Sequence, residues 1–177
     1  MLAIIQARTN SKRFKNKIVF PVNKIPLIAH VYLRVKKSRY IKKIIIATSK
    51  NKTDDKLIKI LQKFEIKYFR GNLENVANRL YKAAKTSKVK YFLRINGDSP
   101  LINYKIIDRA ICIFKSQNKD YDLITNVFPR TFPKGQSVEI IKTSTLKKNL
   151  NNFSRTDKEH VTRYFYQNSK KFKIKNF

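Results

Sequence analysis

The chain has 177 residues, enough for one domain with a real core. Its hydrophobic fraction of 42% excludes a disordered chain, and no apolar run approaches the ~20 residues that span a bilayer. The net charge is +30, from 41 Lys and Arg against 11 Asp and Glu. These cations are spread along the whole chain, with no zinc-finger, KH or RRM signature. The charge therefore favours polyphosphates and acidic sugars as ligands without specifying a nucleic acid. Any divalent-metal ligand must come from the few carboxylates.

Strand and helix patterns alternate from the start. Leu2–Gln6 is a short apolar run that reads as a buried first strand rather than a signal-peptide core, so the default location is the cytoplasm. Pro26 stands where a helix should begin, followed by Leu27, Ile28, Val31 and Val35 at helical spacing. Lys43–Thr48, with Ile44, Ile45 and Ile46, predicts a strand buried on both faces. Thr53 is the expected cap of the next helix, with Asp54 and Asp55 in its first turn and Leu57, Ile58, Leu61 and Phe64 on its apolar face.

Ile66–Phe69 predicts a third strand, Glu74–Thr86 a helix, and Tyr91–Ile95 a fourth strand ending in Asn96-Gly97-Asp98. Tyr104–Lys115 reads as a helix in which Cys112, the single cysteine, is expected to be a small core residue. Strands follow near Asp122–Asn126 and Ser137–Ile141. Thr156 and Glu159 have capping-box spacing for a helix to about Asn168, and Phe172–Phe177 looks like another strand. His30 reads as structural, and Tyr164, Phe165 and Tyr166 as core or dimer surface. The alternation predicts an α/β fold with a mostly parallel sheet and helices on both faces. Ligands then sit at the carboxyl ends of the strands.

Three segments lie at those ends, Ala7–Lys17, Thr48–Asp54 and Asn96–Leu101, and the first and last could carry chemistry. The loop Ala7–Lys17 holds Arg8, Lys12, Arg13, Lys15 and Lys17, with Thr9, Asn10 and Ser11 able to present backbone amides to an anion. The run Arg94–Leu101 places Asp98 after a buried strand, where a carboxylate can hold Mg²⁺, and Gly97 permits a tight turn or close approach. Alone, the first is also a solvated basic loop and the last an ordinary Gly-Asp turn with Asp98 or Ser99 capping the next helix.

Together these segments resemble the sugar-acid cytidylyltransferases, closest to the branch of spore coat polysaccharide biosynthesis protein F. The resemblance runs in order through Ile5–Lys17, Ile44–Ser49, Phe69–Asn72 with Arg79, Arg94–Leu101, Arg130–Glu139 and Glu159–Thr162. It implies a three-layer nucleotide-diphospho-sugar transferase-like (Rossmann-like) fold over residues 1–177. It also implies transfer of CMP from CTP to a sugar acid, with release of pyrophosphate, in cell-surface polysaccharide synthesis.

By resemblance, Arg8, Thr9, Asn10, Ser11, Arg13, Lys17, Arg79, Asn96 and Gly97 bind nucleotide. Lys17, Arg13 and Asp98 are catalytic, Asp98 holds Mg²⁺, and Glu139 and His160 line the acceptor side. The expected partners are CTP, a sugar-acid acceptor and a second copy in a homodimer, with no membrane and no specific nucleic acid. Asn10, Lys15 and Asn16 stand where the family usually has Gly and Pro-Gly, and Lys134 and Ser137 where it usually has Asp. The family's second metal-binding Asp, from a C-terminal segment, has no counterpart before Phe177, so a reduced family member is expected. Two other readings are a glycosyltransferase-like or inactive nucleotide binder, and a nucleic-acid-binding module suggested by charge alone.

Overall fold

The structure, a computed structural model, describes residues 1–10, 14–116 and 120–177. Nine strands and seven α-helices are found among the described residues. The strands are β1 (Leu2–Gln6), β2 (Pro21–Val22), β3 (Ile25–Pro26), β4 (Lys43–Ser49), β5 (Tyr68–Gly71), β6 (Tyr91–Asn96), β7 (Leu123–Thr125), β8 (Glu139–Lys142) and β9 (Ile174–Asn176). The helices are α1 (Leu27–Lys36), α2 (Asp55–Lys63), α3 (Val76–Thr86), α4 (Tyr104–Ser116), α5 (Thr143–Asn149), α6 (Arg155–Glu159) and α7 (Arg163–Gln167).

Seven strands form one sheet in the order β5-β4-β1-β6-β8-β7-β9. All its pairings are parallel except those of β8, which runs antiparallel to β6 and β7. Successive residues of β1 feed opposite cores, as the two-residue period of a strand requires. Ala3 and Ile5 meet Ile28 and Val31 of α1, Leu57 and Leu61 of α2 and Ile107 of α4. Leu2 and Ile4 meet Leu80 of α3, Leu146 of α5 and Phe165 of α7. The three-layer arrangement expected from the alternation is the one observed.

The elements depart from the sequence reading where polar residues took unexpected roles. Asn51, not Thr53, caps a short 3-10 turn ahead of α2, its side chain accepting the Thr53 amide. Asn103 accepts the Lys105 amide at the start of α4, a role given to neither Asp98 nor Ser99. The capping box at α6 is Ser154 with Asp157, two residues ahead of the expected Thr156 and Glu159. The helix predicted to reach Asn168 breaks at His160, so α6 and α7 are separate. Helix α5 and the β2–β3 hairpin gave no periodic signal. The hairpin turns through Asn23 and Lys24, both at positive φ, where Lys is an unusual occupant.

Cys112 is exposed, contrary to expectation: α4 turns Ile107, Ala110 and Ile111 to the sheet, which leaves the next position outside. His30 binds the Val22 carbonyl through Nε2 at 2.9 Å, a structural contact. Phe165 and Tyr164 belong to an aromatic cluster with Phe153 and Phe172, so these rings serve the core.

Asp54 ties the ends of β1 and β4 together. Its fully buried carboxylate accepts the Thr9 amide at 2.7 Å, the Thr48 hydroxyl at 3.0 Å, the Ser49 amide at 3.1 Å and the Ser49 hydroxyl; the Thr9 hydroxyl lies 2.7 Å away. Burial pushes its pKa up. The hydrogen bonds from Ser49, Thr9 and Thr48 outweigh burial and hold it below the usual carboxylate range. The end of β1 is confined from its other side by Gly97. A Cβ there would lie 2.8 Å from the Gln6 carbonyl oxygen and 2.9 Å from Ala7 Cβ.

Two predictions follow from this frame. Because the folded-state pKa of Asp54 is depressed, its stabilisation is present above the ordinary carboxylate pKa and is lost as pH falls through the depressed value. Asp54→Asn should cost about 2–4 kcal/mol at neutral pH, and the deficit should shrink toward acid pH in denaturant titrations. Gly97→Ala should cost about 1–3 kcal/mol, because the obstructing atoms are backbone and a Cβ; an unchanged unfolding midpoint would contradict the close approach.

Candidate active site

The strand order reverses around the β1–β6 pair: β1 leads leftward to β4 and β5, and β6 leads rightward to β8 and β7. Gln6, the last residue of β1, lies beside Asn96, the last of β6. A cleft of about 440 Å³ opens beyond these ends. Gln6, Ala7, Val76 and Asn96 line it, its charged residues are Arg8, Lys17, Arg79, Asp98 and Glu159, and His160 lines it as well. This is the position where open α/β sheets bind ligands.

Local backbone geometry aims the first loop. Asn16 adopts a left-handed conformation, φ 61°, and its amide binds the Thr9 carbonyl at 2.9 Å. Asparagine is among the few side chains that enter this region readily, so it takes the place of the glycine expected there. A 3-10 turn follows, with Ile18 buried beneath it and Lys17 projecting into the cleft. Lys17 Nζ meets Asp98 Oδ2 at 2.7 Å, and Arg8 meets Glu159 Oε1 at 2.6 Å. Among the described residues, the two acids of the cleft thus neutralise two of its three cations.

The third cation, Arg79, is buried on α3. One guanidinium nitrogen donates to the carbonyls of Asn72 at 2.7 Å and Leu73 at 3.3 Å, while its Nε is buried without a partner. Burial pushes its pKa down to about 10, Asp54 pulling it back up and Arg8 lowering it, so it remains charged at neutral pH. Gly71 makes this placement possible: a Cβ there would lie 2.8 Å from Arg79 Cγ.

A second compartment of about 390 Å³ adjoins the cleft and shares Asn96 and His160 with it. Arg130, Arg163, Ser137 and Gln167 line its rim. Its floor is a buried network. Arg94 of β6 forms an ion pair with Glu139, its antiparallel partner on β8, and donates through Nε to Gln6 at 2.9 Å. The Tyr166 hydroxyl donates to Glu139 Oε1 at 2.6 Å, and burial beside that carboxylate pushes the phenol pKa above its ordinary range.

The structure brings Arg8, Lys17, Arg79, Asn96 and Asp98 together in the cleft, and Glu139 and His160 at the second compartment. Ser11 and Arg13 lie outside the described residues. Thr9 is 2% exposed and turns its donors to Asp54 and the Thr53 carbonyl, away from the cleft. Asn10 is exposed beside the loop, and Gly97 packs against β1. Glu139 has both oxygens committed to protein partners. Sequence reasoning placed Asp54 only in a helix's first turn, Arg94 only within a resembling run and Tyr166 only at the core or a dimer surface, and gave none of them a role in the site. A lone Arg in an apolar strand opposite a lone Glu was the available signal for the buried pair.

Comparison with known proteins agrees with this geometry. Residues 2–177 match the family model described as cytidylyltransferase. The chain is 33% identical over 175 residues to an uncharacterised protein of Methanocaldococcus jannaschii, covering 98% of this chain and 70% of that one. It is 31% identical over 170 residues to the spore coat polysaccharide biosynthesis protein SpsF of Bacillus subtilis, covering 93% and 69%. A 3-deoxy-manno-octulosonate cytidylyltransferase of Geobacter sulfurreducens is 30% identical over 111 residues, covering 62% of this chain and 43% of that one. A cytidylyltransferase structure from Leptospira borgpetersenii superposes with a TM-score of 0.93 at 31% identity, covering 99% of this chain and 75% of that one. The sheet, the paired cations and acids at the ends of β1 and β6, and a family match over almost every residue lead to one assignment: the chain belongs to the cytidylyltransferase family.

Proposed function

We propose that the cleft binds CTP and that the protein transfers CMP to the hydroxyl of a sugar acid in the second compartment, releasing pyrophosphate. The observation that carries this reading is the meeting of the two compartments at Asn96 and His160. A nucleotide with its phosphates toward Arg8 and Lys17 would present the α-phosphate near that junction. The sugar-acid acceptor and the polysaccharide pathway are inferred from the names of the Geobacter and Bacillus relatives.

In this reading an acceptor oxygen attacks the α-phosphate and the bond to the β-phosphate breaks. Lys17 and Arg8 neutralise the charge that shifts onto the departing pyrophosphate, and Arg79 adds a buried positive field from below. The cleft is a bed of fixed charge rather than a site for covalent chemistry, as expected for transfer at phosphorus.

The residues present fit a Mg²⁺ ion that arrives with the nucleotide. Asp98 offers a half-exposed carboxylate whose one ion-pair partner, Lys17, is exchangeable, and no group of three or more His, Cys, Asp or Glu forms a metal cage among the described residues. Such a donor set suits an ion that takes most of its oxygens from phosphates and water. When bound, the ion would supply charge neutralisation on the phosphate oxygens.

Mg²⁺-dependent CTP should raise the thermal midpoint selectively over UTP, GTP and ATP in matched salt; at about a hundred times its Kd a ligand stabilises by ~2.7 kcal/mol. Equal shifts with all four would indicate a basic protein attracting polyanions and would sink the nucleotide assignment. Asp98→Ala and Lys17→Ala should each lower CTP-dependent pyrophosphate release by about a hundredfold or more with the fold intact, and full activity in either variant would remove that residue from the mechanism.

A further inference from the structure

We propose that Glu159 is a latch that competes with the nucleotide for Arg8 and ties nucleotide entry to the wall of the second compartment; this rests on the reading of the cleft as a CTP site. Glu159 stands at the carboxyl end of α6, separated from Arg8 by 151 positions in the chain, yet the two meet at 2.6 Å across the cleft mouth. Both side chains are partly exposed, at 31% and 47%, so the pair forms in water and can exchange for another anion.

Arg8 reaches Glu159 through a single nitrogen–oxygen contact, whereas a triphosphate offers it several oxygens and more negative charge. Its arrival displaces the carboxylate, which would otherwise face the phosphates as a like charge. The residue next to the latch is His160, which lines both compartments, followed by Thr162 and Arg163 at the second one. Loss of the Arg8 contact frees the end of α6 where those residues begin. The nucleotide therefore binds first and loosens the acceptor wall.

The test is calorimetric titration of CTP with Mg²⁺ into the wild type, Glu159→Gln, Glu159→Ala and the exposed control Glu65→Gln, which makes the same charge change just beyond the carboxyl end of α2 and outside the cleft lining. Both Glu159 variants should bind CTP about fivefold tighter, the ratio that corresponds to ~1 kcal/mol, with the gain shrinking as salt rises. Glu65→Gln should bind as the wild type does. Amide exchange at His160 and Arg163 should quicken when CTP is added to the wild type and be quick already in the free variants. Equal affinities, weaker binding in the Glu159 variants, or the same gain in the control would overturn the latch while leaving the CTP site standing. Absence of CTP binding to every protein would overturn the site and the latch together.

Discussion

Asp54 is the constraint on which the site depends. A carboxylate buried without a cation in contact is costly unless its oxygens are filled by donors, and here they come from the loop after β1 and the end of β4. The loop after β1 cannot drift from the sheet without stripping that carboxylate of its partners. Arg8 is therefore launched from a fixed point, immediately before Thr9, and Lys17 from the left-handed turn at Asn16, whose amide is itself tied to Thr9. On the opposite flank Gly97 closes against Gln6, so Asp98 leaves β6 from an equally fixed position. The charges that meet in the cleft are held by polar chemistry underneath them rather than by their own attraction, which is weak at exposed positions.

The parallel half of the sheet and the antiparallel β8 divide the labour. β1 and β6 end at the cleft, whereas β8 lays Glu139 beside Arg94 and so builds the floor of the second compartment. A buried ion pair contributes little net stability, but removing one partner strands the other charge. The Arg94–Glu139–Tyr166 chain links β6, β8 and α7, three elements far apart in sequence, under the place where the acceptor is proposed to lie.

Much of this architecture was legible in the residues. The short β-branched run Ile44-Ile45-Ile46 marks a strand and the helical spacing of Leu57, Ile58 and Leu61 marks a helix, and the structure follows both. The charged ends of β1 and β6 were legible through position and resemblance. Harder to read were polar residues whose roles depend on distant partners. Thr9 looks like an anion-binding loop residue until Asp54, from 45 positions away, claims its donors. Thr53 and Thr156 have cap chemistry but lose the caps to Asn51 and Ser154, since neighbouring cap formers compete for the same amides. Helix α5, seven residues long, carries too few apolar positions to show a period.

Asn126 carries a consequence for how the family can diversify. Its side chain closes the segment after β7 like a clasp, with Oδ1 accepting the Val138 amide at 2.9 Å and Nδ2 donating to the Gln136 carbonyl at 2.8 Å. Within the segment between, Thr131 is tied back to the Asn126 and Phe177 carbonyls and Gln136 to Leu101 and Asn103, whereas the Arg130 side chain bonds to Phe132 and Ser137 of the same segment and Lys134 is exposed. Arg130 and Lys134 can be exchanged while the Gln136 contacts to Leu101 and Asn103, and the strands themselves, stay in place. A lineage could reshape the rim of the second compartment through substitutions in this one loop, while the cleft at the ends of β1 and β6 is inherited unchanged.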